Sequence, residues 1–137
     1  MKGYLLDTNL ISELFKKNPS PAVTRRINTL VADQMFTSAL CVMELRYGTQ
    51  RHPAGDKLWR RISELVLTRI QVLSLGLEEA IQAADILADL AARGEPIGLE
   101  DCLIGATAMT NGLTVATRNL KHFDRIRDLP AESWWDE

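Results

Sequence analysis

The sequence has little cysteine and little histidine, with two residues of each among 137. Cys41 and Cys102 lie in apolar runs without a Cys-x-x-Cys pair or paired histidines nearby, which argues against a disulfide framework and a zinc site. The longest uncharged run, residues 102–117, has 16 residues and is too short and too polar to span a bilayer. Only residues 4–6 form an apolar stretch near the start, so no signal peptide is predicted. We expect a cytoplasmic protein with no membrane segment.

Length and composition predict one globular domain over residues 1–137. The chain is 46% hydrophobic and 25% charged, which is ordinary for a domain that folds alone. The formal net charge is −2, but residues 1–75 carry eleven basic and six acidic side chains, whereas residues 76–137 carry five and twelve. This division permits a basic face for a polyanion beside an acidic patch for a cation. Solvated helix faces in both halves are the simpler explanation.

Short apolar runs alternate with segments of helical periodicity along the whole chain. Strands are predicted at residues 3–6, 35–37, 70–73 and 114–117. Helices are predicted at residues 9–15, 20–30, 39–47, 57–67, 77–93 and 99–110, the third of them stopped by Gly48. This alternation predicts an α/β fold of three layers, α/β/α, with a central, mainly parallel sheet of four to five short strands. Ligands bind such sheets at the carboxyl ends of the strands.

Three acidic residues are predicted to lie at this edge of the sheet. Asp7 directly follows the first strand, Glu44 lies in the apolar helix after the second, and Asp101 lies in the first turn of the most hydrophobic helix. Each alone has a structural explanation. Asp7 can cap a helix, Glu44 can face solvent with Arg46, and Asp101 can complement the helix dipole. A stripe of small residues that follows Asp101 on its helix favours an inward position for this residue.

Taken together, the three carboxylates favour a bound divalent cation. Inward-facing carboxylates repel one another and resist desolvation, so an empty cluster would raise their pKa values or push them apart. Oxygen ligands without histidine or cysteine suit Mg²⁺ or Mn²⁺ rather than zinc. The pattern therefore predicts metal-assisted hydrolysis of a phosphodiester, in which the ion lowers the pKa of a bound water.

Four motifs, in order along nearly the whole chain, resemble the PIN-domain ribonucleases, in particular the toxins of VapBC-type and FitAB-type toxin–antitoxin pairs. They are residues 5–12 (LLDTNLIS), 38–48 (Ser38-Ala39 through ELRYG), 96–108 (PIGLEDCLIGATA) and 112–119 (GLTVATRN), with Phe123 and Ile126 beyond them. Each motif alone would be a weak signal. Their common order makes the resemblance specific.

The resemblance implies a magnesium-dependent endoribonuclease that acts on structured RNA such as tRNA. It also implies a homodimer, and a cognate antitoxin that blocks the site and brings operator DNA binding to the complex. In that family the positions matching Asp7, Glu44 and Asp101 hold the metal. The fourth position, often an aspartate, falls on Asn119. Because an amide is a neutral ligand, we expect one well-held ion and a weaker or substrate-dependent second.

Polar residues that follow the first and fourth strands are auxiliary candidates. Thr8, Asn9 and Thr117 would orient water or a carboxylate, although helix entry and strand ends also use such residues without further purpose. Arg118 would hold a phosphate, since a guanidinium suits bidentate contact. An RNA track is predicted among basic residues of which several are ordinary surface charges, namely Lys16, Lys17, Arg25, Arg26, Arg46, Arg51, Arg60 and Arg61.

The remaining histidines and tryptophans are predicted to be structural. His52 and His122 lie in predicted loops, with no nucleophile at triad-like spacing, and no catalytic role is predicted for either. Trp59 is predicted to anchor a helix face, and Trp134 and Trp135 to pack on the core, although base stacking or contact with a partner chain would use the same residues.

Two other classes of function are compatible with a small α/β fold. A phosphoacceptor receiver needs an aspartate after a middle strand and a lysine after a late one, but Ser74 and Arg118 stand near those positions. The sequence argues against it. A PIN-like scaffold that binds RNA or a partner without cleavage is favoured by Asn119 alone.

Overall fold

A five-stranded parallel sheet lies at the centre of the computed structural model, which describes residues 1–136. The strands are β1 (Tyr4–Leu6), β2 (Met35–Ser38), β3 (Gln71–Leu73), β4 (Thr114–Ala116) and β5 (Ala131–Glu132). Their order is β3-β2-β1-β4-β5, and each adjacent pair is parallel. β1 therefore lies between β2 and β4, and the carboxyl ends of all three meet at one edge.

Helices connect the strands and cover both faces of the sheet. They are α1 (Thr8–Glu13), α2 (Pro21–Asn28), a 3₁₀ helix (Ala32–Gln34), α3 (Ala39–Gln50), α4 (Gly55–Arg69), α5 (Leu77–Arg93), α6 (Leu99–Thr110) and α7 (Leu120–Phe123). None of those in residues 1–136 has the length and hydropathy needed to cross a bilayer. The predicted three-layer α/β/α architecture is confirmed.

The structure differs from the predicted elements by up to three residues at most of their ends, and it adds three short elements. α3 does not stop at Gly48 but continues to Gln50. An isolated glycine costs a helix only about 1 kcal/mol, and the burial of Leu45 and Thr49 on either side of Gly48 holds the helix together. The 3₁₀ helix, α7 and β5 have two to four residues each, which is too short for a periodic pattern to predict them.

Two hydrophobic cores fill the space between the layers. Neighbouring residues of β1 point to opposite faces of the sheet, as strand geometry requires, so Leu5 joins one core and Leu6 the other. The first core is formed with α5, α6 and α7, and the second with α1, α2 and α4. Cys41 and Cys102 are buried free thiols, as predicted.

Gly105, in the stripe of small residues that follows Asp101 on α6, lets a neighbouring segment approach closely. A Cβ atom at Gly105 would lie 2.7 Å from Ile126 Cδ1 and 3.3 Å from Leu129 Cδ2, so only glycine leaves room for these side chains. The chain after α7 therefore packs directly on α6, and this contact holds α6 and α7 together at the end that carries Asp101.

Candidate active site

Asp7 lies at the carboxyl end of β1 and is almost fully buried, with 4% of its surface exposed. Its Oδ1 accepts a hydrogen bond from the Thr8 backbone N–H at 2.8 Å, which makes Asp7 the N-cap of α1. Its Oδ2 accepts from Thr117 Oγ1 at 2.7 Å and from Asn9 Nδ2 at 3.2 Å. The capping explanation and the inward-facing one therefore both hold for this residue.

Burial makes the charged form of Asp7 unfavourable. Desolvation raises the pKa of its carboxyl from 3.8 to about 6, against the hydrogen bonds from Thr117 and Thr8, which lower it. The negative charges of Asp101 and Glu44 contribute to this rise in pKa, less than desolvation does. Two further carboxylates thus act electrostatically on Asp7 at this edge of the sheet, and a cation would relieve the repulsion there.

Glu44 is turned toward α1 by a hydrogen bond from a neighbouring threonine. Thr8 Oγ1 donates to Glu44 Oε1 at 2.8 Å, and the Glu44 side chain is half-buried on α3. Arg46, which the alternative explanation placed in solvent with Glu44, lies over the Trp59 ring at 5.3 Å. Thr8 therefore connects the Asp7 cap to the Glu44 carboxylate.

Thr117 connects β4 to the same group of residues and is fully buried. Its hydroxyl donates to Asp7 Oδ2 and accepts from the Asn119 backbone N–H at 2.8 Å. Asn9 Nδ2 lies 3.5 Å from the same hydroxyl oxygen. The auxiliary residues predicted from sequence thus join the ends of β1 and β4 by hydrogen bonds.

Asp101, Asn119 and His122 form a triangle of polar contacts between α6 and α7. Asn119 Nδ2 donates to Asp101 Oδ2 at 3.2 Å, and His122 Nδ1 lies 2.8 Å from both Oδ2 and Nδ2. The amide is a donor and the carboxylate an acceptor, so either histidine tautomer allows two of the three hydrogen bonds. The triangle fixes Oδ2 of Asp101 and leaves Oδ1 without a role in it.

The prediction that His122 lies in a loop is wrong, because the residue lies in α7, where it directly contacts Asp101. Its partner Asp101 is 21 positions away, and the helix that carries His122, α7, has only four residues. The sequence therefore gives little sign of this contact. The spacing of three residues between Asn119 and His122 is the signal that would have placed both on one helical turn. His52, in contrast, accepts a hydrogen bond from the Ala54 backbone N–H in an exposed turn.

The donors at this edge fit a hard divalent cation, although they do not form a complete protein shell. No three histidine, cysteine or carboxylate side chains within residues 1–136 are grouped closely enough to hold an ion by themselves. Mg²⁺ typically takes one or two carboxylates and keeps several waters, so it does not require such a group. The carboxyl of Asp7, whose charged form is disfavoured by burial and by two nearby negative charges, is an oxygen donor of the kind that Mg²⁺ prefers.

The predicted tryptophan and arginine contacts are largely internal. Trp134 is buried with 5% exposure and packs in the second core, as predicted. Arg26, expected on an RNA track, instead donates to Glu132 Oε1 at 2.7 Å and to Tyr4 Oη at 3.0 Å. Arg118 lies beside the site, where its backbone N–H donates to Asn9 Oδ1 at 3.0 Å.

A parallel sheet with Asp7 at the carboxyl end of its central strand, and with Glu44 and Asp101 on neighbouring helices, defines an α/β domain with an acidic site. A family model described as "PIN domain" matches residues 4–129 of the chain. Because the match covers most of the sequence, the chain belongs to the PIN domain family, as its motifs predict.

Relatives of this chain are ribonucleases of the VapC group. The chain is 37% identical over 125 residues to the VapC ribonuclease Y4jK of Sinorhizobium fredii, which covers 88% of this chain and 89% of the relative. It is 34% identical over 134 residues to the tRNA(fMet)-specific endonuclease VapC of Salmonella typhimurium, covering 98% and 99%. The crystal structure of DNA-bound VapBC from Salmonella typhimurium superposes with a TM-score of 0.85 at 32% identity, covering 98% of this chain and 99% of that one.

Proposed function

We propose that this protein is a metal-dependent endoribonuclease, the toxin of a toxin–antitoxin pair, that hydrolyses phosphodiester bonds in RNA such as tRNA. The observation that carries the proposal is the electrostatic coupling of a buried Asp7 to Asp101 and Glu44. A structural role alone does not explain why a folded domain buries the Asp7 carboxyl with the negative charges of Asp101 and Glu44 acting on it. The VapC relatives, one of which is a tRNA(fMet)-specific endonuclease, support RNA as the substrate.

In this proposal Asp7, Glu44 and Asp101 hold Mg²⁺ or Mn²⁺ together with waters of the ion, because the three carboxylates do not form a shell by themselves. The ion, when bound, lowers the pKa of a coordinated water and stabilises the leaving oxygen. Thr8 and Thr117 fix the rotamers of two of the carboxylates by the hydrogen bonds described above. Hydrogen bonds from a neighbouring hydroxyl to a metal ligand orient the ligand and tune its basicity.

Asn119 is the auxiliary residue of the site. Its amide carries no charge and donates to Asp101 Oδ2, so it avoids the repulsion that an aspartate would add, and its oxygen is a neutral donor atom for a cation. A second divalent ion would then be held by fewer charges than the first. We therefore expect one firmly bound ion, and a second that depends on the RNA phosphate.

We also propose a cytoplasmic homodimer that binds a cognate antitoxin, with operator DNA contacted through the antitoxin. VapBC from Salmonella typhimurium is a complex that binds DNA, and its structural similarity to this chain supports such an assembly here. Gel filtration of the protein co-expressed with the product of an adjoining small gene would test both parts. A monomer that binds no such product would contradict them.

The cleavage test uses fluorescently labelled tRNA with Mg²⁺, Mn²⁺ or EDTA. We expect cleavage that needs the metal and falls by orders of magnitude in Asp7→Ala and Asp101→Asn. The matched control is Glu64→Gln, which removes an exposed carboxylate on α4 and should cleave like the wild type. Undiminished cleavage by Asp101→Asn would overturn the assignment of this residue.

A second candidate is a PIN-like scaffold that binds RNA or a partner without cleavage, and the neutral Asn119 favours it. Isothermal titration with Mn²⁺ separates the two. An enzyme should bind Mn²⁺ through Asp7 and lose this binding in Asp7→Ala. A wild type that binds tRNA but neither binds Mn²⁺ nor cleaves would favour the scaffold.

A further inference from the structure

The segment after β5 places Trp135 against the side chain of Arg118. Trp135 is half-buried, and the Arg118 guanidinium carbon lies 5.2 Å from the centre of its ring. At this distance a guanidinium and an indole attract one another. The indole therefore restricts where the Arg118 side chain can go.

Glu13, at the end of α1, holds both members of this pair. Its Oε1 accepts from Trp135 Nε1 at 3.4 Å and lies 3.9 Å from Arg118 Nη1. The carboxylate is 5% exposed and also accepts from Lys16 Nζ at 3.0 Å and from the Ser20 backbone N–H at 2.9 Å. The hydrogen bond from Lys16 holds the pKa of Glu13 below its usual value, so Glu13 is an anion anchored from several directions.

Arg118 is connected to the candidate active site through its backbone. Its N–H donates to Asn9 Oδ1, and Asn9 Nδ2 donates to Asp7 Oδ2. The Arg118 side chain is nevertheless 48% exposed. The guanidinium of a residue whose backbone is linked to Asp7 through Asn9 is thus directed by Trp135 and Glu13, and about half of its side chain is exposed.

We propose that Trp135 and Glu13 are positioning residues that hold the Arg118 guanidinium at the end of α1, the helix that Asp7 caps, where it binds a phosphate of the RNA backbone. The inference rests on the proposed ribonuclease function. A guanidinium fork matches phosphate oxygens bidentately. Holding it in place before RNA arrives lowers the ordering cost of binding. Lys16 adds a second positive charge beside Glu13, so the cluster of Glu13, Lys16 and Arg118 carries a net positive charge.

The test measures binding of fluorescently labelled tRNA by anisotropy at several salt concentrations, in an Asp101→Asn background that prevents cleavage. Arg118→Ala should weaken binding about tenfold and lower the slope of log K against log salt by about 1, the signature of one lost phosphate contact. Arg69→Ala is the matched control, because Arg69 is exposed and is the last residue of α4, two positions before the outer strand β3. It should leave the slope unchanged.

A double-mutant cycle separates positioning from general stability. Trp135→Ala should weaken binding about threefold, the effect of a partly exposed cation–π contact, and Trp135→Phe should restore most of it because the ring face remains. In the Arg118→Ala protein, Trp135→Ala should have no further effect. Circular dichroism confirms that each variant is folded.

Three results would overturn the inference. They are wild-type affinity and slope in Arg118→Ala, additive losses in the double variant, and equal losses in Trp135→Phe and Trp135→Ala. Any of these in a protein that still binds tRNA leaves the proposed ribonuclease function intact. A wild type that neither binds nor cleaves tRNA with Mn²⁺ would instead overturn the proposed function, and the inference with it.

Discussion

Deprotonation of Asp7 should destabilise the protein when no divalent ion is present. Its buried carboxyl has a pKa raised from 3.8 to about 6. A group whose folded-state pKa lies above its unfolded value favours folding fully below the unfolded pKa and loses this contribution as the pH rises through the folded pKa. The free energy of unfolding of the metal-free protein should therefore fall between about pH 4 and about pH 7, as far as it depends on Asp7.

The size of this effect follows from the pKa difference. One pKa unit corresponds to about 1.4 kcal/mol, so a rise from 3.8 to about 6 corresponds to roughly 3 kcal/mol over the whole range. Between about pH 5 and about pH 7 the loss should be roughly 1 kcal/mol. The rest of the loss occurs below about pH 5, where the carboxyl of the unfolded chain ionises first. For a domain of this size, a loss of roughly 1 kcal/mol lowers Tm by about 3 °C.

The assay is thermal and urea unfolding in EDTA, with wild type and Asp7→Asn compared at the two pH values. The variant should lack the loss assigned to Asp7, whereas Glu64→Gln should follow the wild type. Saturating Mg²⁺ should abolish the difference between wild type and variant in pH dependence, because the ion stabilises the charged carboxylate of the folded state. Equal pH dependence of wild type and Asp7→Asn in EDTA would refute the reasoning about burial. A dependence that Mg²⁺ leaves unchanged would refute the binding of the ion beside Asp7.

Other variants test other parts of the molecule. Asn119→Asp should destabilise the metal-free protein, because a carboxylate would replace the donor to Asp101, and should strengthen Mn²⁺ binding in titration calorimetry; weaker Mn²⁺ binding would contradict this. His122→Phe removes a contact to Asp101 Oδ2 and should weaken Mn²⁺ binding about tenfold, as outer-shell partners do, with little change in tRNA affinity. Glu13→Gln should lower Tm at neutral pH, and because the Glu13 pKa is lowered in the folded state, the gap to the wild type should close as the pH falls below about 4; a constant gap would show that its charge is unimportant.

The sequence predicts the central architecture because its strands and long helices repeat at distinct periods. β1, β2 and β3 are each followed by a long helix or a capped one, and this alternation is visible without coordinates. β5 is different. It pairs with β4 through the Val115 and Thr117 N–H groups, which donate to Pro130 O and Glu132 O at 2.9 and 3.1 Å, and two residues held by tertiary contact leave no periodic signal.

The candidate site is predicted in its acidic members but not in the contacts between them. Asp7, Glu44 and Asp101 stand out because carboxylates in apolar surroundings conflict with solvation. The link from Thr117 to Asp7 spans 110 positions, and sequence spacing carries no information about such a contact. The contact of His122 with Asp101 could not be predicted from spacing either, because it depends on how α7 and the chain after it pack on α6 at Gly105.

The position of Asp7 is fixed by the fold and does not depend on an ion. Its backbone N–H donates to Ala116 O at 3.0 Å, which continues the pairing of β1 with β4. Its carboxylate is held by the Thr8 N–H and the Thr117 hydroxyl. Domains that fold around zinc lack such internal partners and unfold without the metal. Here the backbone and hydroxyl donors hold an unfavourable charge in place, so the free energy of ion binding is available to relieve that charge rather than to order the chain.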